Sequence, residues 1–146
     1  MKRLLPAFLL VLALLALAYL LLPRGHTFYG TRLLNPKPVD FALEGPQGPV
    51  RLSQFQDKVV LLFFGFTHCP DVCPTTLADV RDALELIGGD VGVVFVTVDP
   101  ARDDAAAMKQ YVDYYQAGFV GLTGTDDEIR TAAGAWGVSY AKVETG

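Results

Sequence analysis

The sequence is poor in the residues that form several common kinds of site. Its 146 residues include only two cysteines, two histidines and one tryptophan, and they contain no run of basic residues and no internal repeat. The chain has 12 Lys and Arg against 16 Asp and Glu, a net charge of −4 at pH 7. Nucleic-acid binding needs clustered Lys and Arg to contact phosphates. The composition therefore argues against a nucleic-acid partner, and the length favours one domain.

A long hydrophobic run lies near the N-terminus. Residues 4–22 (LLPAFLLVLALLALAYLLL) contain no charged side chain, and Lys2 and Arg3 precede them. The run is about as long as a helix needs to cross a bilayer. Basic residues on the short side predict an N-in orientation, with the remaining chain on the extracytoplasmic, periplasmic-type side. A cleaved signal peptide is the alternative, but the run continues past the cleavage-like Ala16-Leu17-Ala18 and favours an anchor over residues 1–23.

The remaining chain divides into a linker and one domain. Residues 24–37 are interpreted as a linker, because proline and glycine disfavour regular structure there. The domain is expected over residues 38–146. Its first part, residues 38–55, predicts two strands joined by a turn rich in glycine and proline.

Continuous apolar segments alternate with helical patterns in this domain. Residues 59–64 and 91–98 are hydrophobic runs typical of strands buried on both faces. Between them, apolar residues spaced three and four apart predict a helix that ends at Gly88. Residues 103–116 predict a second helix.

The last part of the chain predicts a third helix and a strand. Residues 125–128 (TDDE) have the pattern of a capping box at a helix N-terminus. Residues 138–143 predict a final strand. Because buried strands alternate with helices along the chain, we expect an α/β layered domain with parallel strand pairing.

Both cysteines lie in GFTHCPDVCPTT, residues 65–76, where the first buried strand gives way to a helix. The carboxyl end of a strand is a common location for sites in open α/β sheets. A helix N-terminus has a partial positive charge, so a thiol there ionises more easily. If residues 69–73 form a helical turn, Cys69 and Cys73 face the same side. This arrangement suits either one soft ion such as Cu(I) or a disulfide.

The spacing by itself leaves several interpretations open. Two ligands are too few for a closed zinc site, which usually has four. The C-x-x-x-C spacing also differs from the C-x-x-C of thioredoxin-type redox motifs. A structural disulfide or two unreactive thiols fit the same spacing.

The surroundings of the motif are more specific. VVLLFFGFTHCPDVCPTT, residues 59–76, and VTVDPARD, residues 96–103, closely resemble segments of the Sco (SenC) family of copper-binding proteins. The segments QGPVRLSQFQDK, GLTGTDDEIR and GVSYAKVE extend the resemblance over roughly residues 38–144. The resemblance implies a thioredoxin-like fold preceded by an N-terminal membrane anchor.

The resemblance also implies a function. Members of the family take part in assembling the binuclear copper centre of cytochrome c oxidase, and their motif cysteines, which correspond to Cys69 and Cys73, bind copper. The implied partners are the copper-bearing oxidase subunit, other copper carriers and thiol reductases. The family cysteines also cycle between dithiol and disulfide. The alternative is therefore an extracytoplasmic thiol–disulfide reductase in which Cys69 attacks and Cys73 resolves.

A peroxide-reducing enzyme is a third interpretation. Peroxiredoxins share a related fold and an FT-x-x-C-P pattern, which the segment FTHCP at residues 66–70 matches in part. The V-C-P that follows Cys69 belongs instead to the copper family, so this interpretation ranks last.

The chain departs from the family at its C-terminal end. The third copper ligand of the family is a histidine beyond the GVSYAKVE-like segment, whereas this chain ends at Gly146 and its only histidines are His26 and His68. We therefore expect a truncated domain that lacks the last strands and helix of a thioredoxin-like sheet. His68 is a weak candidate ligand, and we expect it to be an exposed side chain that tunes the thiols.

Two acidic residues are predicted to lie around the metal without binding it directly. Asp71 is expected to cap the helix by accepting backbone N–H bonds, with an influence on the metal or a partner as the alternative. Asp99, in the V-D-P-x-R-D segment, is either near the site or a turn residue. Arg102 and Asp103 are interpreted as a local ion pair and a helix cap.

Overall fold

The computed structural model describes residues 4–21, 30, 39–116 and 118–141. The chain forms two units, residues 1–36 and 37–146. The first unit contains helix α1, Leu4–Leu21. Within the described ranges, no helix is both long enough and apolar enough to cross a membrane. The predicted anchor over residues 1–23 extends beyond α1 at both ends, and those end residues lie outside the described ranges. The predicted linker lies outside them as well, except for Gly30.

The second unit starts with the predicted pair of strands. Strand β1 (Ala42–Gly45) pairs with β2 (Gly48–Arg51) in antiparallel orientation. Gly48 has a φ of 116°, a backbone conformation that glycine adopts easily and other residues do not. The expectation of two strands joined by a glycine-rich turn is therefore confirmed.

A three-stranded parallel sheet forms the centre of this unit. Its strands, in the order β3-β4-β5, are β3 (Val59–Gly65), β4 (Val91–Thr97) and β5 (Val120–Leu122). The helices are α2 (Val72–Ile87), α3 (Ala105–Tyr115) and α4 (Asp126–Ala135). Since α2 and α3 follow β3 and β4 and both strand pairs of this sheet are parallel, the predicted α/β class and parallel pairing are confirmed.

Side chains of β4 divide the core into two clusters, because successive residues of a strand point to opposite faces. On one face, Leu77 of α2 and Met108 of α3 belong to the same buried cluster as Phe95. On the other face, Ile129 of α4 is clustered with Val94. The first cluster packs α2 and α3 against one face of β4, and the second packs α4 against the other face.

Strand β3 is less buried than predicted. It lies at an edge of the sheet that the described residues form, and Val59 and Leu61 are exposed. The expectation of burial on both faces is therefore wrong for β3 and right for β4, in which residues 92–97 are all buried. A continuous apolar run is compatible with either position, because edge and centre differ in neighbours rather than in sequence.

The last third of the domain also differs from the predictions. Strand β5 was not predicted, since it has only three residues and a central glycine. A Cβ on Gly121 would lie 2.8 Å from the carbonyl oxygen of Met108, so the close approach of α3 requires glycine. The strand expected at residues 138–143 is absent over residues 138–141, and residues 142 and 143 lie outside the described part of the chain.

The capping box before α4 is confirmed. The hydroxyl of Thr125 accepts a hydrogen bond from the backbone N–H of Glu128 at 3.3 Å. In return, the Glu128 carboxylate accepts from the backbone N–H of Thr125 at 2.8 Å. Two N–H groups that have no partner within the helix are thereby satisfied.

Candidate functional site

The two cysteines lie at the carboxyl edge of the sheet, as predicted. β3 ends at Gly65, and Cys69 lies in the connection that precedes α2. Cys73 is the second residue of α2. The expectation of a helical turn over residues 69–73 is wrong in part, because the helix begins only at Val72 and Cys69 lies outside it.

A hydrogen bond links the two cysteines directly. The backbone N–H of Cys73 donates to the sulfur of Cys69, with a distance of 3.4 Å between nitrogen and sulfur. Both thiols are free, and no disulfide joins them. Cys69 is half-buried, whereas only 6% of Cys73 is exposed. An incoming metal ion or partner thiol therefore has better access to Cys69 than to Cys73.

The surroundings make the two thiols chemically unequal. Burial raises the pKa of Cys69, but the Cys73 backbone N–H and thiol, with the N–H groups of Asp71 and Val72, bring this pKa below its ordinary value. Burial raises the pKa of Cys73 to about 11, and the nearby Cys69 and Asp103 add to that increase. The first proton is thus lost from Cys69, which gives a thiolate beside a protonated thiol.

Gly65 provides the space in which the buried sulfur lies. A Cβ at this position would be 2.9 Å from the sulfur of Cys73 and 2.7 Å from Cε2 of Phe95. The backbone at the end of β3 therefore packs directly against the sulfur and the aromatic ring. Sequence reasoning did not single out Gly65, although a glycine within an apolar strand is a signal of close approach.

Asp103 is the site residue that sequence reasoning misassigned. Its side chain is completely buried. The carboxylate accepts hydrogen bonds from the backbone N–H of Thr67 at 2.9 Å, from the Thr67 hydroxyl at 2.5 Å and from the Thr97 hydroxyl at 2.6 Å. It therefore connects the end of β4 to the segment that carries Cys69.

The helix cap and the ion pair predicted around Arg102 and Asp103 are both present, but Asp103 takes part in neither. Asp104 caps α3 by accepting a hydrogen bond from the backbone N–H of Ala107 at 2.7 Å. Arg102 forms its ion pair with Asp99. Since Asp103 and Asp104 are adjacent and identical in type, the residue at which α3 begins decides which carboxylate reaches the free N–H groups.

His68 lies between this network and the solvent. Its Nδ1 is 2.9 Å from the Thr67 hydroxyl oxygen and 3.5 Å from Oδ1 of Asp103. More than half of its side chain, 56%, is exposed, which agrees with the expectation of an exposed histidine. Its influence on the thiols stays a prediction. No group of three or more His, Cys, Asp or Glu side chains within the described ranges is arranged to hold a metal ion. His26 lies outside those ranges.

Asp71 does not cap α2 in the predicted way. It occupies the N-cap position, but its carboxylate accepts no hydrogen bond from the helix. Its φ of −144° and ψ of −69° differ from the extended conformation that lets a capping side chain reach the helix N–H groups. Instead, the Asp71 carbonyl accepts from the backbone N–H and the hydroxyl of Thr75. A role of Asp71 around the metal stays a prediction.

Asp99 forms a turn at the end of β4. Its carbonyl oxygen accepts hydrogen bonds from the backbone N–H groups of Arg102 and Asp103, each at 3.1 Å. Its own N–H donates to the Thr97 hydroxyl at 2.9 Å. The turn interpretation is confirmed, whereas an influence of Asp99 on the metal stays a prediction.

Comparison with known families agrees with this geometry. Residues 34–146, most of the chain, match the family SCO1/SenC. The chain belongs to the SCO1/SenC family. The family assignment confirms the resemblance that the motif around Cys69 and Cys73 indicated.

Two curated relatives illustrate the extent of the match. A putative copper-binding protein of Stutzerimonas stutzeri is 35% identical over 125 residues, which cover 83% of this chain and 57% of that protein. A SCO2-like protein of Rickettsia conorii is 36% identical over 108 residues, which cover 71% of this chain and 53% of that protein. The chain thus spans little more than half the length of these relatives.

Matches to solved structures of Sco proteins cover a larger share of the matched chain than the matches to those two relatives do. Apo Sco1 from Thermus thermophilus is 58% identical, with a TM-score of 0.77, and the match covers 85% of this chain and 74% of that one. Copper-bound ScoI from Arabidopsis thaliana is 37% identical, with a TM-score of 0.69 and coverage of 74% and 70%.

A third structure, BsSco, is described as having a disulfide switch and as a member of the Sco family of cytochrome c oxidase assembly proteins. It is 26% identical to the chain, with a TM-score of 0.62 and coverage of 79% and 72%. Together with the parallel sheet and its helices, the structural matches confirm the thioredoxin-like fold that the sequence resemblance implied.

Proposed function

We propose that this protein binds copper through Cys69 and Cys73 and delivers it to the binuclear copper centre of cytochrome c oxidase during assembly. The observation that carries the proposal is the hydrogen bond between the Cys73 backbone and the Cys69 sulfur, which holds the cysteines together at one helix N-terminus. The copper-bound Arabidopsis relative and the description of BsSco as an oxidase assembly protein support it.

The chemistry of the two thiols suits Cu(I). Thiolate sulfur is a soft ligand that prefers Cu(I) and other soft ions. Cys69, with its lowered pKa and better access, makes the first bond to the metal. Cys73 then loses its proton to the solvent as its sulfur joins the coordination, so binding releases protons and weakens at low pH. Exchange with thiolates of the copper-bearing oxidase subunit reverses these steps, with copper as the cargo.

The same ligand set disfavours Cu(II). Cu(II) prefers imidazole nitrogen and tetragonal geometry, whereas the described site offers two sulfurs. His68 remains a candidate third ligand from this part of the chain. We expect Cu(I) to bind more tightly than Cu(II), and a stable Cu(II) complex lost in His68→Ala would assign the third ligand to His68.

The direct test is a titration of the reduced full chain, in detergent micelles, with Cu(I) in the presence of a competing chelator. We expect one copper per chain and complete loss of tight binding in the double variant Cys69→Ser/Cys73→Ser. Thr75→Ser, on the exposed first turn of α2, is the matched control and should bind like the original. Tight binding that persists in the double cysteine variant would contradict the proposal.

A thiol–disulfide reductase is the second candidate function, because the two thiols differ in the way that such an enzyme requires. Cys69 is accessible and has a lowered pKa, as an attacking thiol needs, while Cys73 is buried beside it and can resolve the mixed disulfide. The disulfide switch described for BsSco supports this candidate.

The reductase candidate is tested by trapping. Cys73→Ser should accumulate a mixed disulfide with a disulfide substrate, whereas Cys69→Ser should not react. A reduction potential near the roughly −270 mV of thioredoxin, together with turnover, would favour catalysis over copper delivery. Absence of both the trapped species and turnover would exclude the reductase.

We also propose that residues 1–23 anchor the chain in a membrane with the N-terminus inside. Residues 24–37 would then link the anchor to an extracytoplasmic domain over residues 38–146. The uncharged run after Lys2 and Arg3 supports this arrangement. The full chain should remain with membranes after alkaline carbonate extraction, and external protease should digest the domain. A mature N-terminus directly after Ala18 would show cleavage instead.

A further inference from the structure

We propose that Asp103 is a positioning residue, which holds the segment carrying Cys69 at the distance from Cys73 that the cysteine pair needs. The inference deepens the proposed function and rests on it only for the role of copper. Its basis is the set of hydrogen bonds that the buried carboxylate makes with the end of β4 and with the connection between β3 and α2.

The contact with Thr67 restrains the cysteine segment most directly. Thr67 lies two residues before Cys69, and Asp103 binds both its backbone N–H and its hydroxyl. Two bonds from one residue to one carboxylate fix the orientation of the peptide as well as its position. The backbone N–H of Cys69 in turn donates to the carbonyl of Phe66 at 3.3 Å, so the turn is closed on itself.

Asp103 is itself held by the rest of the sheet edge. The Thr97 hydroxyl at the end of β4 donates to its carboxylate at 2.6 Å. The Thr123 hydroxyl, directly after β5, donates to its backbone carbonyl at 2.7 Å. One residue therefore joins the carboxyl ends of β4 and β5 to the cysteine segment that follows β3.

Burial indicates why a carboxylate is used. Asp103 is completely excluded from solvent, while its neighbour Asp104, which only caps a helix, is exposed. A buried charge is costly unless its oxygens accept several hydrogen bonds. The three donors aimed at this side chain satisfy it, and no other residue type offers two acceptor oxygens in the same volume.

The first experiment compares Asp103→Asn with Asp104→Asn in the full chain in detergent micelles. An asparagine amide would turn an N–H group towards donors from Thr67 or Thr97, so the cysteine segment should shift. We expect Asp103→Asn to weaken Cu(I) affinity at least tenfold, as outer-shell changes at metal sites typically do. Asp104→Asn removes the same charge one residue away and should stay within about threefold.

A second pair of variants covers the case in which Asp103→Asn does not fold. Thr67→Val removes one hydroxyl donor but keeps the shape and the backbone N–H, whereas Thr67→Ser keeps both donors. We expect Thr67→Val to weaken Cu(I) affinity several-fold and Thr67→Ser to restore it. Provided that the original chain binds Cu(I), equal affinities in the two Thr67 variants would overturn the proposal, since the hydroxyl–carboxylate bond would then have no effect on the site.

A readout without copper separates this inference from the proposed function. The ratio of alkylation rates at Cys69 and Cys73, measured by mass spectrometry on reduced apo protein, reports their relative positions. We expect Thr67→Val to change this ratio at least threefold relative to the original chain, and Thr67→Ser to leave it unaltered. If the original chain binds no Cu(I) but the ratio changes as expected, the copper function fails and the positioning role stands. An unchanged ratio in Thr67→Val overturns the positioning role.

Discussion

The backbone N–H of Cys73 donates a hydrogen bond to the sulfur of Cys69 across 3.4 Å. The sulfur thus takes the place that a capping oxygen normally has at a helix N-terminus, where unpaired N–H groups favour negative charge. This explains why the Asp71 carboxylate is not used as a cap, and why Cys69 rather than Cys73 carries the first thiolate. A metal ion or a partner disulfide therefore meets a sulfur that is already oriented and whose pKa is lowered.

The two thiols should differ in their pH profiles of alkylation. Cys69 should react with iodoacetamide at a pH below the ordinary range of a thiol, because N–H groups lower its pKa. Cys73 should react only near pH 11, because burial raises its pKa. Site-resolved mass spectrometry of the reduced protein gives both profiles. Equal pH profiles, or a reaction of Cys73 at a lower pH than Cys69, would contradict the assigned difference between the two pKa values.

The stability of the reduced protein should fall as the pH rises from about 9 to about 11. The folded pKa of Cys73 is raised from its ordinary value near 9 to about 11, so in this window the folded state holds a proton that the unfolded state has lost. Its stabilising contribution is complete below pH 9 and is lost through pH 11. Urea denaturation followed by the fluorescence of Trp136 measures the change. Cys73→Ser should flatten this part of the profile, and a steep fall that persists in that variant would exclude Cys73 as its origin.

Gly65→Ala should destabilise the domain and disturb the site together. The added methyl group would lie 2.7 Å from the Phe95 ring and 2.9 Å from the Cys73 sulfur, both in the core. Overpacking of this kind costs about 1–3 kcal/mol of the free energy of unfolding. Gly134→Ala lies within α4, and among the described residues no atom outside the helix's own backbone comes within 4 Å of the new methyl, so this change should be neutral or stabilising by up to about 1 kcal/mol. Similar effects of the two changes would mean that Gly65 is not in close contact.

Two leucines of α2 should differ sharply when truncated. Leu77 is completely buried in the cluster around Phe95, whereas 88% of Leu86 is exposed. Leu77→Ala should lower the free energy of unfolding by about 2–5 kcal/mol, because it removes apolar contacts and leaves a cavity. Leu86→Ala should change it by less than about 0.5 kcal/mol. A comparable loss in both would show that the exposed face of α2 is covered by another surface.

The two predicted helix caps should also respond differently. Thr125→Ala removes the hydroxyl that accepts the Glu128 N–H and should cost about 1 kcal/mol. Asp71→Ala removes a carboxylate that accepts no helix N–H, so the loss should stay below about 0.5 kcal/mol. Thermal unfolding of the two variants in parallel gives the comparison. A larger loss of stability in Asp71→Ala than in Thr125→Ala would show that Asp71 does cap α2, as the sequence predicted.

Much of the fold could be predicted because the signals are local. Thr125 and Glu128 satisfy each other within four residues, so the start of α4 is written in a short pattern. The apolar runs that became β3 and β4 are equally local, and Gly88, with a φ of 63°, ends α2 where expected. Strand β5 could not be predicted because its three residues around Gly121 show no strand pattern of their own. They form a strand because they pair with β4 and pack closely against α3.

The sequence by itself determined the α/β class, the family motif and the two cysteines at a strand end, because these depend on residue type and spacing along the chain. The tertiary structure decided which sulfur is accessible, which helix N–H groups face it and which of two adjacent aspartates is buried against Thr67. These properties depend on distances in three dimensions at the ends of β3 and β4, where Thr67 and Asp103 meet although they lie 36 positions apart in the chain. Hydrogen bonding and burial act on those distances, and spacing along the chain does not report them.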